Sequence, residues 1–243
     1  MTDIERLVEF IRQRLGDLNH VPPAAEYQYS SVPLCVIDAV FSTGVRYEST
    51  ERTVKEFCQT YGWAMARRND HTEKTISDLL TILQKYENRW EDMASIVFRN
   101  RQRTSSRSGI LKAEAVYRFA EVLRRFGIET FADAQRLGLQ DSVRRAIAMI
   151  PGQSSGISYD YFLMLVGHTD HIKADRMVRR FVADALGLRD VQPDDCRRLV
   201  REATSLLKSQ FPKLSPMLLD HAIWEYQRKQ EGIASSCRAA AAG

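Results

Sequence analysis

Ile150-Pro151-Gly152-Gln153-Ser154-Ser155-Gly156 lies between two helix-forming stretches, Asp141 to Met149 and Ile157 to Val166, and its reading decides the fold. Proline lacks an amide hydrogen and biases its predecessor away from helix, and glycine admits backbone geometries closed to other residues. The stretch therefore reads as a tight hairpin joining two helices. Amides left free at a helix N-terminus, with the helix dipole behind them, favour a phosphate oxygen. The stretch after the hairpin carries Tyr159, Tyr161, Phe162, Leu163, Met164, Leu165 and Val166. So much apolar surface implies a central buried helix, which Gly167 ends. Lys173-Ala174-Asp175-Arg176-Met177-Val178 then opens a helix through Leu186, with Asp175 in a capping position.

Outward from the hairpin, helical periodicity recurs along the chain. Ile4, Leu7, Val8, Ile11 and Leu15 predict a first helix over 3–15. A proline-bearing ordered loop follows over 19–33, with Tyr27 and Tyr29 inside it. Leu34 to Phe41 is apolar except for Asp38, as suits a buried helix. Further helices are expected from about residue 49 to Tyr61, from a Thr72 cap to Tyr86, and over 90–98, 110–126, 130–137, 193–210 and 215–227. The Ala-rich tail, 233–243, reads as frayed and disordered. No alternating strand-length segment and no repeat stands out, so the fold class is all-α, with about ten to twelve helices.

At 44% hydrophobic and 27% charged residues, the 243-residue chain has an ordinary globular composition. Its formal charge of +4 suits a local basic patch without demonstrating one. Cys35, Cys58, Cys196 and Cys237 form no CxxC pair, which argues against a structural metal or a disulfide framework; no metal and no cofactor is expected. The mixed, acidic N-terminus does not read as a signal peptide, and no apolar run has membrane-spanning length. The expected setting is cytoplasmic, nucleoid-associated if bacterial, with no membrane partner.

The order of hairpin, buried helix and helix-opening aspartate resembles the helix-hairpin-helix DNA glycosylases, the superfamily of endonuclease III and the alkyladenine glycosylases. Ile150, Pro151 and Gly152 match the family's leucine-proline-glycine, while Gln153 and Ser154 depart from its hydrophobic-glycine ending. Asp38-Ala39-Val40-Phe41-Ser42 resembles the family's early helix ending in serine, and the resemblance covers roughly 33–187. It implies a two-lobed all-α fold with a DNA cleft between the lobes. One lobe spans 33–167, and the other joins 1–32 to 168–232. It further implies that Asp175 is catalytic: a carboxylate near C1′ stabilises the charge that builds on the sugar and orients water. Bifunctional relatives carry a lysine where this chain has Gly156, so the resemblance implies a monofunctional enzyme with water as nucleophile and an abasic product. Many relatives place a wedging glutamine near Gly44; here Arg46 and Tyr47 are the nearest substitutes.

Under this reading the DNA contacts are Pro151, Gly152, Gln153, Ser154 and Gly156 in the hairpin, with Arg46, Lys173 and Arg176. Arg99, Arg101, Arg103 and Arg107, with Lys112, form the densest positive stretch and join them. The base pocket draws on Tyr27, Tyr29, Asp38, Ser42, Tyr47 and Tyr159, by stacking and edge hydrogen bonds. The expected partner is double-stranded DNA with a modified base, alkylated or hypermodified as in phage DNA, bound by a monomer in repair or defence. Three rivals stand beside it: a non-catalytic DNA-binding protein of the same fold, a bifunctional lyase using Lys173, and an all-α protein-interaction domain.

Overall fold

The computed structural model describes residues 1–68, 72–106, 109–136 and 141–241. Among them there is no strand; Tyr29 with Ala66 and Arg103 with Leu111 make isolated bridges. The chain is all-α.

Helix α1 (Asp3–Leu15) starts in a capping box, Thr2 accepting the Glu5 amide while Glu5 accepts the Thr2 amide. Then come α2 (Val32–Phe41), α3 (Tyr47–Tyr61), α4 (Ile76–Leu83), α5 (Trp90–Asp92) and α6 (Lys112–Arg125). Helices α7 (Phe131–Arg136), α8 (Asp141–Ala148) and α9 (Ile157–Leu165) lead through the hairpin. Helices α10 (Arg176–Leu186), α11 (Pro193–Leu207) and α12 (Pro216–Ala241) complete the chain.

Several boundaries differ from the sequence reading, each for a local reason. Thr75, not Thr72, caps α4, because Asp78 three residues on completes a reciprocal capping box. The segment expected as a helix over 90–98 passes from α5 into a π turn at Met93–Val97, closed by Phe98 N–H on Met93 O. That turn seats Phe98 between Phe41 and Phe57, with ring centres 5.2 and 5.9 Å away. Helix α6 begins at Lys112 rather than residue 110, since Leu111 still pairs with Arg103. The last helix runs to Ala241 instead of stopping near Gln227, in keeping with alanine's helix propensity.

The chain falls into two compact units. One is continuous, Ala25–Gly167; the other joins Met1–Ala24 to His168–Gly243. In the continuous unit all ten residues of α2 are buried, and α3, α4, α6 and α9 pack around it. In the other unit Leu7, Val8 and Ile11 of α1 share a core with Phe181 and Val182 of α10, Leu199 and Val200 of α11, and Leu219 and Ile223 of α12.

Candidate functional site

The hairpin between α8 and α9 closes through backbone bonds. Gln153 N–H donates to Ile150 O at 2.9 Å, and Gly156 N–H to Gln153 O at 3.1 Å. Gly152 and Gly156 supply the positive φ values, +84° and +71°. Ser154 holds an ordinary φ, so the turn closes without a glycine at that position. Pro151, Gly152 and Ser154 are exposed, and the amides of Gly152 and Ser154 have no acceptor among the described residues. Gln153 departs from its expected role as a surface contact. Its side chain is 2% exposed and accepts from the Ser158 hydroxyl, bracing the start of α9 from inside. Gly156 is buried as well. The hairpin is held from outside by Thr104, whose hydroxyl donates to Pro151 O at 3.1 Å.

In the other unit, Asp175 caps α10. Its Oδ1 accepts the amides of Met177 at 2.8 Å and Val178 at 3.3 Å. Asp175 is half-buried, and its Oδ2 has no partner among the described residues. The aspartate is thus oriented through one oxygen and presents the other. Lys173 is half-buried two residues before it. Arg176 is exposed and pairs with Glu231 at 3.4 Å. Arg179 is bound to Asp190 and to Val191 O, and Arg180 to Gln227 and Glu231, so both brace this unit's own helices.

Of the six residues assigned to a base pocket, three converge. Asp38 is fully buried, and its Oδ2 accepts from the hydroxyls of Tyr29 at 3.0 Å and Tyr47 at 3.4 Å. Tyr161 donates to the same oxygen at 3.4 Å and was not singled out from the sequence for this role. Burial, and then the Asp38 charge, push all three phenols well above their ordinary range, so they remain donors. Tyr159 goes elsewhere. Two residues apart on a helix means nearly opposite faces, and Tyr159 packs on Phe162 beneath the Arg144 guanidinium, 4.8 Å from its ring centre. Arg144 also pairs with buried Asp160. Ser42 ends α2 and bonds back to Ala39 O. Tyr27 is half-buried in the turn before α2.

The basic residues divide in the same way. Arg46 and Arg101 are exposed. Arg103 is engaged by Glu91 at 3.3 Å and by Gly109 O at 3.1 Å. Lys112, expected in the positive surface stretch, is 1% exposed. Its ammonium donates to Phe41 O and Thr43 O, both at 2.8 Å, and to Gln102 Oε1 at 3.3 Å. It therefore caps the end of α2 and is withdrawn from solvent. Arg107 lies outside the described residues. Gly44 holds φ +71°, a turn geometry that favours glycine in its own right.

The thiols of Cys35, Cys58 and Cys196 are buried and reduced, and burial pushes those of Cys58 and Cys196 up to about 11 and about 12. No three His, Cys, Asp or Glu side chains among the described residues are placed to hold a metal ion, and no described helix is long and apolar enough to cross a membrane. No curated protein and no solved structure matches the chain. One family model does match it, over residues 5–228, and with nearly the whole sequence covered the chain belongs to that family, described as a domain of unknown function (DUF8548).

Proposed function

We propose that the protein is a monofunctional DNA glycosylase with a two-lobed helix-hairpin-helix fold, removing a modified base from double-stranded DNA. The observation that carries the reading is Asp175 itself: one carboxylate oxygen is fixed by two helix amides, and the other has no partner among the described residues. The hairpin supports it, because Gly152 and Ser154 are exposed and their amides, without an acceptor among the described residues, suit a phosphate oxygen. The bond from C1′ to the base nitrogen breaks, and its electron pair leaves with the base. The Asp175 carboxylate stabilises the sugar cation. Water then adds to C1′, and its proton passes to Asp175 or to solvent. Glycine at position 156 offers no amine for a Schiff base, so the product is an abasic site on an intact strand.

The test compares base release by the wild type and Asp175→Asn on duplexes carrying alkylated, oxidised, deaminated and hypermodified bases. Asparagine keeps an N-cap acceptor, so the fold is retained while release falls by about 10²–10⁴-fold. Release undiminished in the variant removes Asp175 from the chemistry. Tight binding by both proteins with no release from any duplex makes the chain a non-catalytic binder. A borohydride-trapped covalent adduct makes it a lyase.

A further inference from the structure

On the continuous unit, one face of α3 and the loop after the π turn enclose an open polar cavity of about 460 Å³. Ser49, Arg52, Thr53 and Glu56 line it from α3, and Arg99 to Gln102 line it from the loop. The spacing i, i+3, i+4, i+7 puts the four helical residues on one side of α3. Arg52, Arg99 and Arg101 are exposed, and none has an ion-pair partner among the described residues. Elsewhere arginines hold carboxylates: Arg103 pairs with Glu91, Arg118 with Glu114, Arg197 with Asp194 and Arg198 with Asp195. Glu56 is the single carboxylate in the lining, so the cavity is cationic.

The frame beneath the arginines is ordered. Asn100 Nδ2 donates to Thr53 Oγ1 at 2.9 Å, and Gln102 Nε2 to Ser49 Oγ at 3.1 Å. Buried Lys112 holds Gln102 from behind at 3.3 Å. Arg99 sits at φ +47°, a conformation that non-glycine residues rarely adopt. The same loop carries Thr104, which donates to Pro151 O of the hairpin. Three residues of chain reach at most about 11 Å, so the Arg101 backbone lies within that distance of the hairpin's brace.

We propose that Arg52, Arg99 and Arg101 form an anion site that takes a phosphate of the nucleic-acid backbone beside the hairpin, extending the hairpin's phosphate contact along one strand. Guanidinium forks match phosphate oxygens, and the polar floor fixes the loop that aims two of them. The inference rests on the reading of the chain as a DNA-binding protein but not on its base-removal chemistry.

The full chain is titrated with a short labelled duplex at several salt concentrations, as wild type and as the variant Arg52→Gln/Arg99→Asn/Arg101→Gln. Asparagine tolerates the positive φ at position 99. Each lost phosphate contact lowers the slope of log affinity against log salt by about 0.9, so the triple variant, which loses the site's one phosphate, loses about 0.9 on any duplex sequence. Arg101→Gln alone, at an exposed position with ordinary φ, loses part of that slope and covers the case in which the triple variant does not fold. An unchanged slope, with wild-type binding intact, overturns the arginine site and leaves the glycosylase reading standing. No duplex binding by wild type sinks the DNA reading and the site with it. Inorganic phosphate is the second probe. If it raises the melting temperature of wild type but not of the triple variant, while the duplex slope is the same in both, the site is a small-anion pocket and the nucleic-acid assignment fails.

Discussion

Gly152 carries two constraints at once. Its φ of +84° excludes most side chains, and a Cβ there would lie 2.3 Å from Thr104 Oγ1 and 2.4 Å from Thr104 Cβ. Gly127, in the same unit, holds φ +70° but has nothing within 4 Å of such a Cβ. The pair separates backbone strain from steric overlap. Gly127→Ala is expected to cost about 1–2 kcal/mol, the left-handed penalty alone. Gly152→Ala is expected to exceed about 3 kcal/mol, because the overlap involves the Thr104 Cβ and not only a flexible tip. Urea unfolding of the two variants, followed by one probe, measures the difference; equal losses mean that the Thr104 loop yields. The glycine was legible in the sequence as a turn residue. Thr104 was not, since its bond to Pro151 spans 47 residues and no local pattern announces it. Asp38 stood out as the one charge on an apolar helix. Its partners come from the turn before α2, from the start of α3 and from α9, and that convergence is set by packing.

Among the elements, α2 shows how a buried helix end is satisfied. Its last carbonyls have no helical partners, and the Lys112 ammonium from α6 donates to Phe41 O and to Thr43 O just beyond. Lys112→Met keeps the length and apolar stem of the side chain but removes the donor. It should destabilise the continuous unit by about 2–4 kcal/mol, since charged hydrogen bonds to two carbonyls are lost together. It should also loosen the Arg99–Gln102 loop, because Gln102 loses its contact with the ammonium. Denaturant unfolding measures the first effect and amide exchange across 99–104 the second. Unchanged stability with unchanged protection would reduce Lys112 to a filler of space. Sequence periodicity located the long helices well, because an amphipathic stripe such as Leu7, Val8 and Ile11 is a local signal. It placed Lys112 on the surface, because a lysine is exposed by default and only the tertiary position of the α2 terminus reverses that. The π turn was invisible for the same reason. Its Met-Ala-Ser-Ile-Val composition fits an ordinary helix, and the rings that take in Phe98 come from α2 and α3.

For the whole molecule, the all-α class was readable because apolar spacing is helical from end to end and strand alternation is missing. The use of the chain ends was not readable from apolar spacing, since joining residue 7 to residue 223 in one core leaves no periodic mark on either segment; the pairing of 1–32 with 168–232 came only as what the resemblance implies. That joining sets the folding behaviour of the two units. The continuous unit, 25–167, holds its own core around α2, within one stretch of ordinary domain size. The other unit needs α1. Leu7 and Ile11 are fully buried in its core, and each contributes about 1.5–3 kcal/mol by leaving water. Losing both, with Val8 beside them, removes a large part of a typical stability of about 5–15 kcal/mol. Expressed alone, 25–167 should unfold cooperatively with a structured near-ultraviolet spectrum. The fragment 168–243 should lack cooperative unfolding, and a peptide of residues 1–24 added in trans should restore it in proportion to occupancy. Circular dichroism melts of the three samples make the comparison. Cooperative unfolding of 168–243 without the peptide would show that α1 is dispensable to its core. A non-cooperative 25–167 would show that the α2-centred core does not stand by itself.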